Sequence, residues 1–339
     1  MPYTIVLEPL GREFPAGGAA SVLDAALAAG INLPHSCKSG HCGSCRARIV
    51  RGRVGYPRTR PPGLTAQEAE AGMALLCQAR AESDLRIEAR QIETMSEVEI
   101  KSLPCRIESL RPLARDVMQL WLRLPAVEPL HFRAGQYLDI ILDDGRRRSF
   151  SIASPPHDSR LLELHVRRAA GGRFSPQLFG ELRAGALLRI EAPLGQFYYR
   201  DATAPLLLIA GGTGFAPLKS ILRHVSETGI ERDVLLYWGV QRPEDLYDGE
   251  FIAAQLSRGS CFRFQPVFSA AAADGTDLRR GFVHDAVLED LPSLEEYDCY
   301  AAGPPALIEA LRREFPARGL SPSRLYFDSF DYAPDAARS

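Results

Sequence analysis

Four cysteines share a spacing that suits a metal cluster. Cys37, Cys42 and Cys45 are separated by four and two residues, and Cys77 follows after 31 more. This is the plant-type spacing for a [2Fe–2S] cluster, in which one loop supplies three thiolates and a distant position supplies the fourth. Gly40 lies within the loop, and glycine lets the backbone come close to the inorganic sulfurs. The cysteines therefore predict a cluster that carries one electron at a time.

Two other uses of these cysteines remain open at this point. A structural zinc site would favour two Cys-x-x-Cys pairs, and only one is present. Disulfides need an oxidising compartment, whereas the N-terminus enters a strand-like segment at once and shows no export signal. We therefore expect a cytoplasmic protein. His41, next to Cys42, is either an exposed loop residue or a group that tunes the potential of the cluster.

A second motif is Arg148-Ser149-Phe150-Ser151, on a predicted strand that ends at two prolines. The arginine can neutralise a pyrophosphate with two hydrogen bonds, the phenylalanine offers an aromatic face, and Ser151 offers a hydroxyl. The alternative is an ordinary strand preceded by a solvated basic run. About twenty residues downstream, a glycine turn at 171–175 leads into a short predicted helix and would present backbone N–H groups to an anion.

A third motif, Gly211-Gly212-Thr213-Gly214, follows a continuous apolar run at 205–210 and precedes a predicted helix. A buried strand, a glycine turn and a helix N-terminus are the context that a nucleotide pyrophosphate requires. The pattern is not Gly-x-Gly-x-x-Gly, so it is not a standard dinucleotide fingerprint. It predicts a phosphate-binding turn of a different kind.

The elements that position these motifs fall into three groups. Before residue 90, short strands, one main helix and the cysteine loop alternate. Six short strands with alternating apolar residues follow up to about residue 200, which indicates a small antiparallel barrel. Beyond it, apolar strands alternate with helices, which indicates a doubly wound parallel sheet with ligands at the carboxyl ends of its strands.

The composition is that of a globular protein. The 339 residues are 46% hydrophobic and 24% charged, with room for two or three domains. The net charge of −2 gives no reason to expect nucleic acid or an anionic membrane as a partner. No apolar run reaches the ~18 residues that a membrane-spanning helix needs.

Together the motifs resemble the three-module [2Fe–2S]/FAD/NAD(P)H reductases of the ferredoxin–NADP reductase superfamily, which include oxygenase reductase components. The stretch from Tyr237 to Tyr247 and the Arg-Arg-Ser-Phe-Ser segment are most similar to the CDP-6-deoxy-delta-3,4-glucoseen reductase-like group. The resemblance implies a β-grasp ferredoxin, an antiparallel flavin-binding β-barrel and a doubly wound parallel nucleotide-binding domain. It divides the chain into a ferredoxin domain (1–92), a linker (93–102), an FAD barrel (103–200), an NAD(P)H domain (201–330) and a tail (331–339).

The resemblance also implies roles for individual residues. Ser151 would hydrogen-bond near flavin N5, and Phe330 would shield the flavin until nicotinamide displaces it. The remaining flavin contacts would come from Arg148, Ser149, Phe150, His165, Val166, Arg167, Gly172, Phe174 and Ser175. The nucleotide contacts would come from Gly211, Gly212, Thr213, Gly214, Arg242, Gly303 and Pro304. Relatives have a cysteine before the Gly303-Pro304 pair, where this chain has Ala302.

The implied activity is hydride transfer from a nicotinamide to FAD, followed by single-electron transfer through the cluster to a partner such as an oxygenase. Electron donation to a pyridoxamine-dependent dehydratase, as by glucoseen reductase, is an alternative. Reduction of a small diffusible acceptor and non-enzymatic redox sensing are further ones. Because Glu244 and Asp245 lie beside Arg242, we favour NADH without excluding NADPH. We expect a monomer, because the cluster face must stay accessible to a partner.

Overall fold

The computed structural model describes residues 2–9, 11–17, 19–31, 33–35, 38, 40, 43–57, 59–88, 100–126, 129–169, 172, 174–258, 261–270 and 278–330. Their packing separates two compact units. One holds the residues up to Ile100 together with Leu194–Gln196, and the other holds Lys101–Pro193 and the residues from Phe197 onward. The tail 331–339 and most of the predicted linker lie outside the described residues. The first strand of the second unit already begins at Lys101, two residues before the predicted domain boundary.

The first unit is a mixed five-stranded sheet covered by a helix. The sheet order is β2-β1-β7-β3-β5, with β1 and β7 parallel, and β4 pairs separately with β6. Ser21 caps the helix α1, and Thr65 and Glu68 form the predicted capping box of α2. The elements are β1 (Tyr3–Glu8), β2 (Arg12–Ala16), α1 (Val22–Ala28), β3 (Arg46–Arg51), β4 (Val54–Gly55), α2 (Ala66–Glu70), β5 (Met73–Leu75), β6 (Arg80–Ala81) and β7 (Leu85–Glu88).

The second unit begins with the predicted six-stranded barrel. Its strand order is β11-β10-β13-β8-β9-β12, and a bridge between Ile152 and Leu164 joins the two edges. Alternate side chains of each strand form the apolar core of the barrel, as the period-2 pattern predicts. The elements are β8 (Lys101–Ala114), β9 (Val117–Arg123), β10 (Tyr137–Ile141), β11 (Arg147–Ser151), β12 (Leu161–Arg167), α3 (Phe174–Gly180) and β13 (Leu187–Leu194).

The rest of the second unit is a five-stranded parallel sheet in the order β16-β15-β14-β17-β18. One apolar cluster includes side chains of α4 and α5, and a second, on the other face, includes those of α6 and α7. The elements are β14 (Leu206–Gly211), α4 (Phe215–Thr228), β15 (Val234–Val240), α5 (Gly249–Leu256), β16 (Phe262–Phe268), α6 (Val283–Asp290), β17 (Asp298–Gly303), α7 (Pro305–Glu314) and β18 (Leu325–Ser329). The predicted doubly wound sheet is confirmed.

The strand order places the functional edge of this sheet. The connections from β14 run to β15 on one side, and β17 lies on the other, so the order reverses beside β14. Ligands of such sheets bind at this reversal, beyond the carboxyl ends of the strands. Among the described residues, no helix has the length and apolar character to cross a membrane.

Candidate functional site

The two described cysteines of the predicted cluster come together through strand pairing. Cys45 directly precedes β3 and Cys77 follows β5 by two residues, and the pairing of Arg46 with Leu75 aligns the two segments. The Leu76 N–H donates to the Cys45 carbonyl at 3.1 Å. Both cysteines are buried. The other two predicted ligands, Cys37 and Cys42, and also His41, lie outside the described residues.

Gly40, in the loop near these cysteines, has a backbone conformation and a packing that only glycine tolerates. Gly40 has a φ of +85°, and a Cβ there would lie 2.9 Å from side-chain carbons of Gln78 and Pro61. The Gln78 side chain donates to the Lys38 carbonyl at 2.8 Å, which ties the segment of the fourth cysteine to the loop. Burial raises the pKa of Tyr56, whose hydroxyl accepts from the Leu75 N–H at 3.2 Å, two residues before Cys77. The residues present fit a thiolate-bound cluster.

The motif on β11 presents its side chains to two faces of the strand. Arg148 and Phe150 are half-buried on one face, and the Phe150 ring lies 5.5 Å from that of Phe174. On the other face the Ser149 hydroxyl donates to a buried carboxylate, Asp139, at 2.5 Å. The hydroxyl of Ser151 is buried at the end of the strand. An arginine and an aromatic face on one side of the strand are what a flavin nucleotide would require.

The glycine turn after β12 is closed by its own serine. The Ser175 hydroxyl accepts from the Ala169 N–H at 2.9 Å, and the Gly172 N–H donates to the Ala169 carbonyl at 3.1 Å. Phe174 is buried in the barrel core, so its side chain serves packing. Gly171 and Arg173 lie outside the described residues.

Strand β12 offers backbone rather than side chains at two of the predicted flavin positions. The side chain of Val166 packs in the barrel core. The His165 ring is buried, with Nε2 2.9 Å from Glu163 and Nδ1 3.3 Å from the Tyr247 hydroxyl. Both ring nitrogens of His165 therefore lie near polar groups of the protein, and its flavin contact stays a prediction.

The predicted nucleotide turn, Gly211–Gly214, is packed so closely that only glycine fits at its first and last positions. A Cβ at Gly214 would lie 1.9 Å from the Ala302 carbonyl oxygen, and one at Gly211 would lie 2.7 Å from Pro304. Gly303, in turn, lies against Gly211. The predicted Gly211–Gly214 turn and the Gly303-Pro304 segment are therefore neighbours at the carboxyl edge of the sheet.

Two side chains on other strands, Trp238 of β15 and Arg167 of β12, contact this turn. The Trp238 indole N–H donates to the Gly212 carbonyl at 2.9 Å, and its ring stacks on Phe215 at 4.0 Å. The Arg167 guanidinium, at the end of β12, reaches the same turn, since a Cβ at Gly212 would lie 2.9 Å from its Nη1. Arg167 Nε is 3.3 Å from the Asp116 carboxylate. A cation from the barrel thus lies beside the nucleotide turn.

The last strand brings a carboxylate to the end of the flavin motif, and sequence analysis missed it. The Ser151 hydroxyl lies 3.5 Å from Asp328, which is buried. Two residues later the Phe330 N–H donates to the Gly303 carbonyl at 2.8 Å. Ser151 therefore lies beside the carboxyl end of β18, next to Phe330 and to Gly303 of the paired strand β17. Asp328 precedes Phe330 by the two-residue period of a strand, which is the signal that could have found it.

Arg242 takes a more exposed position than the other predicted nucleotide residues. Its backbone N–H donates to the Asp245 carboxylate at 3.0 Å, and its Nη1 lies 3.8 Å from Glu244. The side chain is 62% exposed. Arg242 thus begins a short 3₁₀ turn, Pro243–Asp245, whose acidic residues lie nearest to it.

Comparison with known proteins matches three family models along the chain in the order of the motifs. The 2Fe-2S iron-sulfur cluster binding domain matches residues 5–82, the oxidoreductase FAD-binding domain 104–199 and the oxidoreductase NAD-binding domain 208–313. The CDP-6-deoxy-L-threo-D-glycero-4-hexulose-3-dehydrase reductase of Yersinia pestis is 37% identical over 331 residues, 97% of this chain and 99% of the relative. The chain belongs to the three-module [2Fe–2S]/FAD/NAD(P)H reductases.

Oxygenase systems supply other relatives of this reductase. The terephthalate 1,2-dioxygenase reductase component 1 of a Comamonas species is 36% identical over 337 residues, 98% of this chain and 99% of the relative. The crystal structure of a cytochrome P450 reductase from Amycolatopsis has a TM-score of 0.82 and 34% identity, with 97% of this chain and 98% of that chain covered. The expected fold class, the enzyme class and the three kinds of cofactor domain are confirmed.

Proposed function

We propose that this reductase oxidises NADH and passes single electrons to a partner protein. The observation that carries the proposal is the meeting of Ser151, Gly303, Asp328 and Phe330 beside the nucleotide turn. When bound, FAD accepts a hydride as two electrons and releases them singly, and the [2Fe–2S] cluster carries one electron at a time. A chain with all three domains can therefore take two electrons from a nicotinamide and pass them on one at a time.

The chain's own residues position the reacting groups. Arg148 would neutralise the flavin pyrophosphate, and the backbone of Val166 would lie along the flavin. Ser151 would present its hydroxyl to the reactive edge, with Asp328 accepting from it and so setting its direction. Phe330, whose backbone is held by Gly303, would cover the face that nicotinamide must reach. This cover would exclude water until the substrate arrives.

The dinucleotide would bind across the carboxyl edge of β14. Gly211–Gly214 would let the backbone approach the pyrophosphate, and the N-terminus of α4 would favour its charge. Trp238 holds the Gly212 carbonyl in place from the neighbouring strand. We propose that Arg167 adds a positive charge from the barrel side.

The boundaries 1–92, 103–200 and 201–330 remain our proposal for the three domains. We also propose a monomer, because one chain carries every cofactor domain that the route needs. Thiolate ligands need a reducing compartment, and the cytoplasm provides one. We therefore propose that compartment as the place of action.

We propose an oxygenase as the electron acceptor, since the Comamonas relative is the reductase component of a dioxygenase. A second candidate is a dehydratase that acts on a CDP-hexulose, which the name of the Yersinia pestis relative favours. Reconstituted turnover with purified candidate partners would separate them. We expect the oxygenase to oxidise the NADH-reduced enzyme completely and the dehydratase to leave it reduced. The reverse result would favour the dehydratase.

Rapid anaerobic mixing with NADH tests the proposed function itself. Bleaching of the flavin absorbance, followed by the slower loss of the cluster absorbance, is the expected result. A flavin that stays oxidised at saturating NADH and NADPH would overturn the proposal. A preparation with an iron–sulfur spectrum but no stoichiometric FAD would instead support a redox sensor.

Nucleotide preference gives a separate prediction. We expect kcat/KM to be at least about tenfold higher for NADH than for NADPH, a difference of about 1.4 kcal/mol. The carboxylates of Glu244 and Asp245 beside Arg242 would repel a 2′-phosphate and accept from a ribose hydroxyl. Steady-state rates with both nucleotides measure the ratio. The double variant Glu244→Gln/Asp245→Asn should narrow it, and an unchanged ratio would place the choice elsewhere.

Ser151→Ala is expected to slow flavin reduction by NADH about tenfold. The substitution removes one hydrogen bond at the reactive edge, worth about 1–1.5 kcal/mol. Stopped-flow rates at saturating NADH measure the effect, with FAD content as the check on binding. Ser226→Ala is the matched control, since its hydroxyl donates to the Arg223 carbonyl within α4. Equal rates for the two variants would remove Ser151 from the reaction.

A further inference from the structure

A cluster of charged side chains is buried between the flavin-binding barrel and helix α4. The Lys219 ammonium lies 2.8 Å from the Glu163 carboxylate of β12 and 2.5 Å from the Asp248 carboxylate that precedes α5. Glu163 is 1% exposed and also accepts from Gln119 at 2.5 Å and from the His165 ring at 2.9 Å. Lys219, Glu163 and Asp248 belong to none of the sequence motifs described above.

The single positive charge of Lys219 offsets part of the negative charge of the two carboxylates. Burial alone would raise the pKa of Glu163, but the hydrogen bond and charge of His165 and the charge of Lys219 outweigh it and lower that pKa well below its usual range. Glu163, His165 and Asp248 also lie close enough together to ligate a cation. The ammonium group of Lys219 takes that place.

The cluster ties the nucleotide turn to the strands of the flavin motif. Lys219 lies one helical turn after Phe215, the first residue of α4 beyond the turn. The next residue, Ser220, donates to the Ser154 carbonyl at 2.7 Å, three residues after Ser151. Arg167 lies against the turn from the same strand that carries Glu163. Two consecutive residues of α4 are thus bonded to the two barrel segments that carry the predicted flavin contacts.

We propose that Lys219 is a positioning residue for hydride transfer, setting the distance between the nucleotide turn and the flavin edge of the barrel through Glu163 and Asp248. The proposal rests on the proposed function, since it assumes NADH at the turn and FAD on the barrel. Apolar residues of similar size usually stabilise a core at least as well as a buried ion pair does. Stability alone therefore does not explain why charged residues are buried here. A role in fixing the geometry between α4 and the barrel does explain it. A misplacement of about 1 Å between reacting groups can cost about 100-fold in rate.

The test compares variants of the FAD-loaded enzyme. Lys219→Met/Glu163→Gln removes the Lys219–Glu163 ion pair and leaves position 163 uncharged, while Asp248, whose side chain is 16% exposed, keeps its carboxylate. We expect its limiting rate of flavin reduction by NADH to fall about 10- to 100-fold, while FAD content and the dissociation constant for NADH stay close to those of the parent. The isotope effect with 4-deuterated NADH should rise toward its full value, because hydride transfer becomes slower than the other steps. Lys219→Arg, which keeps the charge, should recover most of the rate.

Arg232→Met is the matched control for loss of a buried ion pair. Arg232 bonds Asp298 at 2.7 Å near the start of β17, at the opposite edge of the sheet, and Asp298 keeps a second arginine, Arg324, at 2.9 Å. This variant should lower the melting temperature and leave the limiting rate of flavin reduction unchanged.

Each outcome decides the proposal. The proposal would be overturned by a double variant that has the parent's limiting rate of flavin reduction. It would also be overturned if the variant showed only a lower FAD content or a lower melting temperature. Should that variant fail to fold, the same rate in Glu163→Gln decides, with a drop supporting the proposal and none rejecting it. A parent enzyme that NADH does not reduce would instead reject the proposed function itself.

Discussion

Cys77→Ser is expected to abolish the reduction of one-electron protein acceptors while NADH still reduces ferricyanide. Cys77 is buried, and its segment is bonded to that of Cys45. Loss of an outer-shell partner alone costs a metal site about 10- to 100-fold, so loss of a thiolate ligand should lower cytochrome c reduction by more than about 100-fold. Iron analysis and the two acceptor assays measure the effect, because ferricyanide also takes electrons directly from a reduced flavin.

Cys105→Ala is the control for this prediction. Cys105 packs in the apolar core of the barrel, and burial raises the pKa of its thiol to about 12, as for a structural cysteine. The control should keep both its iron and its cytochrome c activity. A Cys77→Ser enzyme with the parent's iron content would remove Cys77 from the cluster. If it still reduced the physiological acceptor at the parent's rate, the acceptor would be a small molecule that bypasses the cluster.

Gly214→Ala is expected to lower kcat/KM for NADH by about 100-fold or more. The added Cβ would lie 1.9 Å from the Ala302 carbonyl oxygen, which belongs to β17, an interior strand of the sheet. Since this backbone is held by strands on both sides, the nucleotide turn must move instead, and about 1 Å of displacement is enough for that loss. Overpacking of this kind also costs about 1–3 kcal/mol of stability, which thermal unfolding measures.

Gly249→Ala makes the same chemical change where there is space. A Cβ at this position, the first of α5, meets nothing within 4 Å. Stability and kcat/KM should match those of the parent or improve slightly, because alanine favours a helix. Gly214→Ala with the parent's kcat/KM would show that the turn does not hold the dinucleotide. A second substitution at Ala302 should not restore the activity of Gly214→Ala, because the added Cβ clashes with the Ala302 backbone carbonyl and not with its side chain.

Local patterns predicted the elements well because each depends on neighbouring residues. Ser21 and Thr65 cap their helices as predicted, since a cap needs only a hydroxyl and the N–H groups two or three residues later. The apolar run before Gly211 became the central strand of the sheet, as its continuous hydrophobicity indicated. The order of the three kinds of motif predicted the order of the three domains that the family models match.

Long-range polar partners were not predictable in the same way. Glu163 and His165 alternate with apolar residues on β12, a pattern that ordinarily places polar side chains in water. They are buried because α4 and the loop before α5 cover that face and bring Lys219 and Asp248 with them. The same is true of Asp328, which meets Ser151 across 177 positions of sequence.

The chemistry of this protein can be predicted from short stretches of its sequence: cysteines at cluster spacing, a flavin motif on a strand, and a glycine turn between a buried strand and a helix. These signals are local, so their residue types and spacing survive without knowledge of the fold. Which groups face one another depends instead on how the chain folds. The fold places Arg167 and Trp238 on the Gly212 turn, the Ala302 carbonyl against Gly214, and a lysine between two carboxylates. Strand order and packing set those distances, and neither is written in any short stretch of the chain.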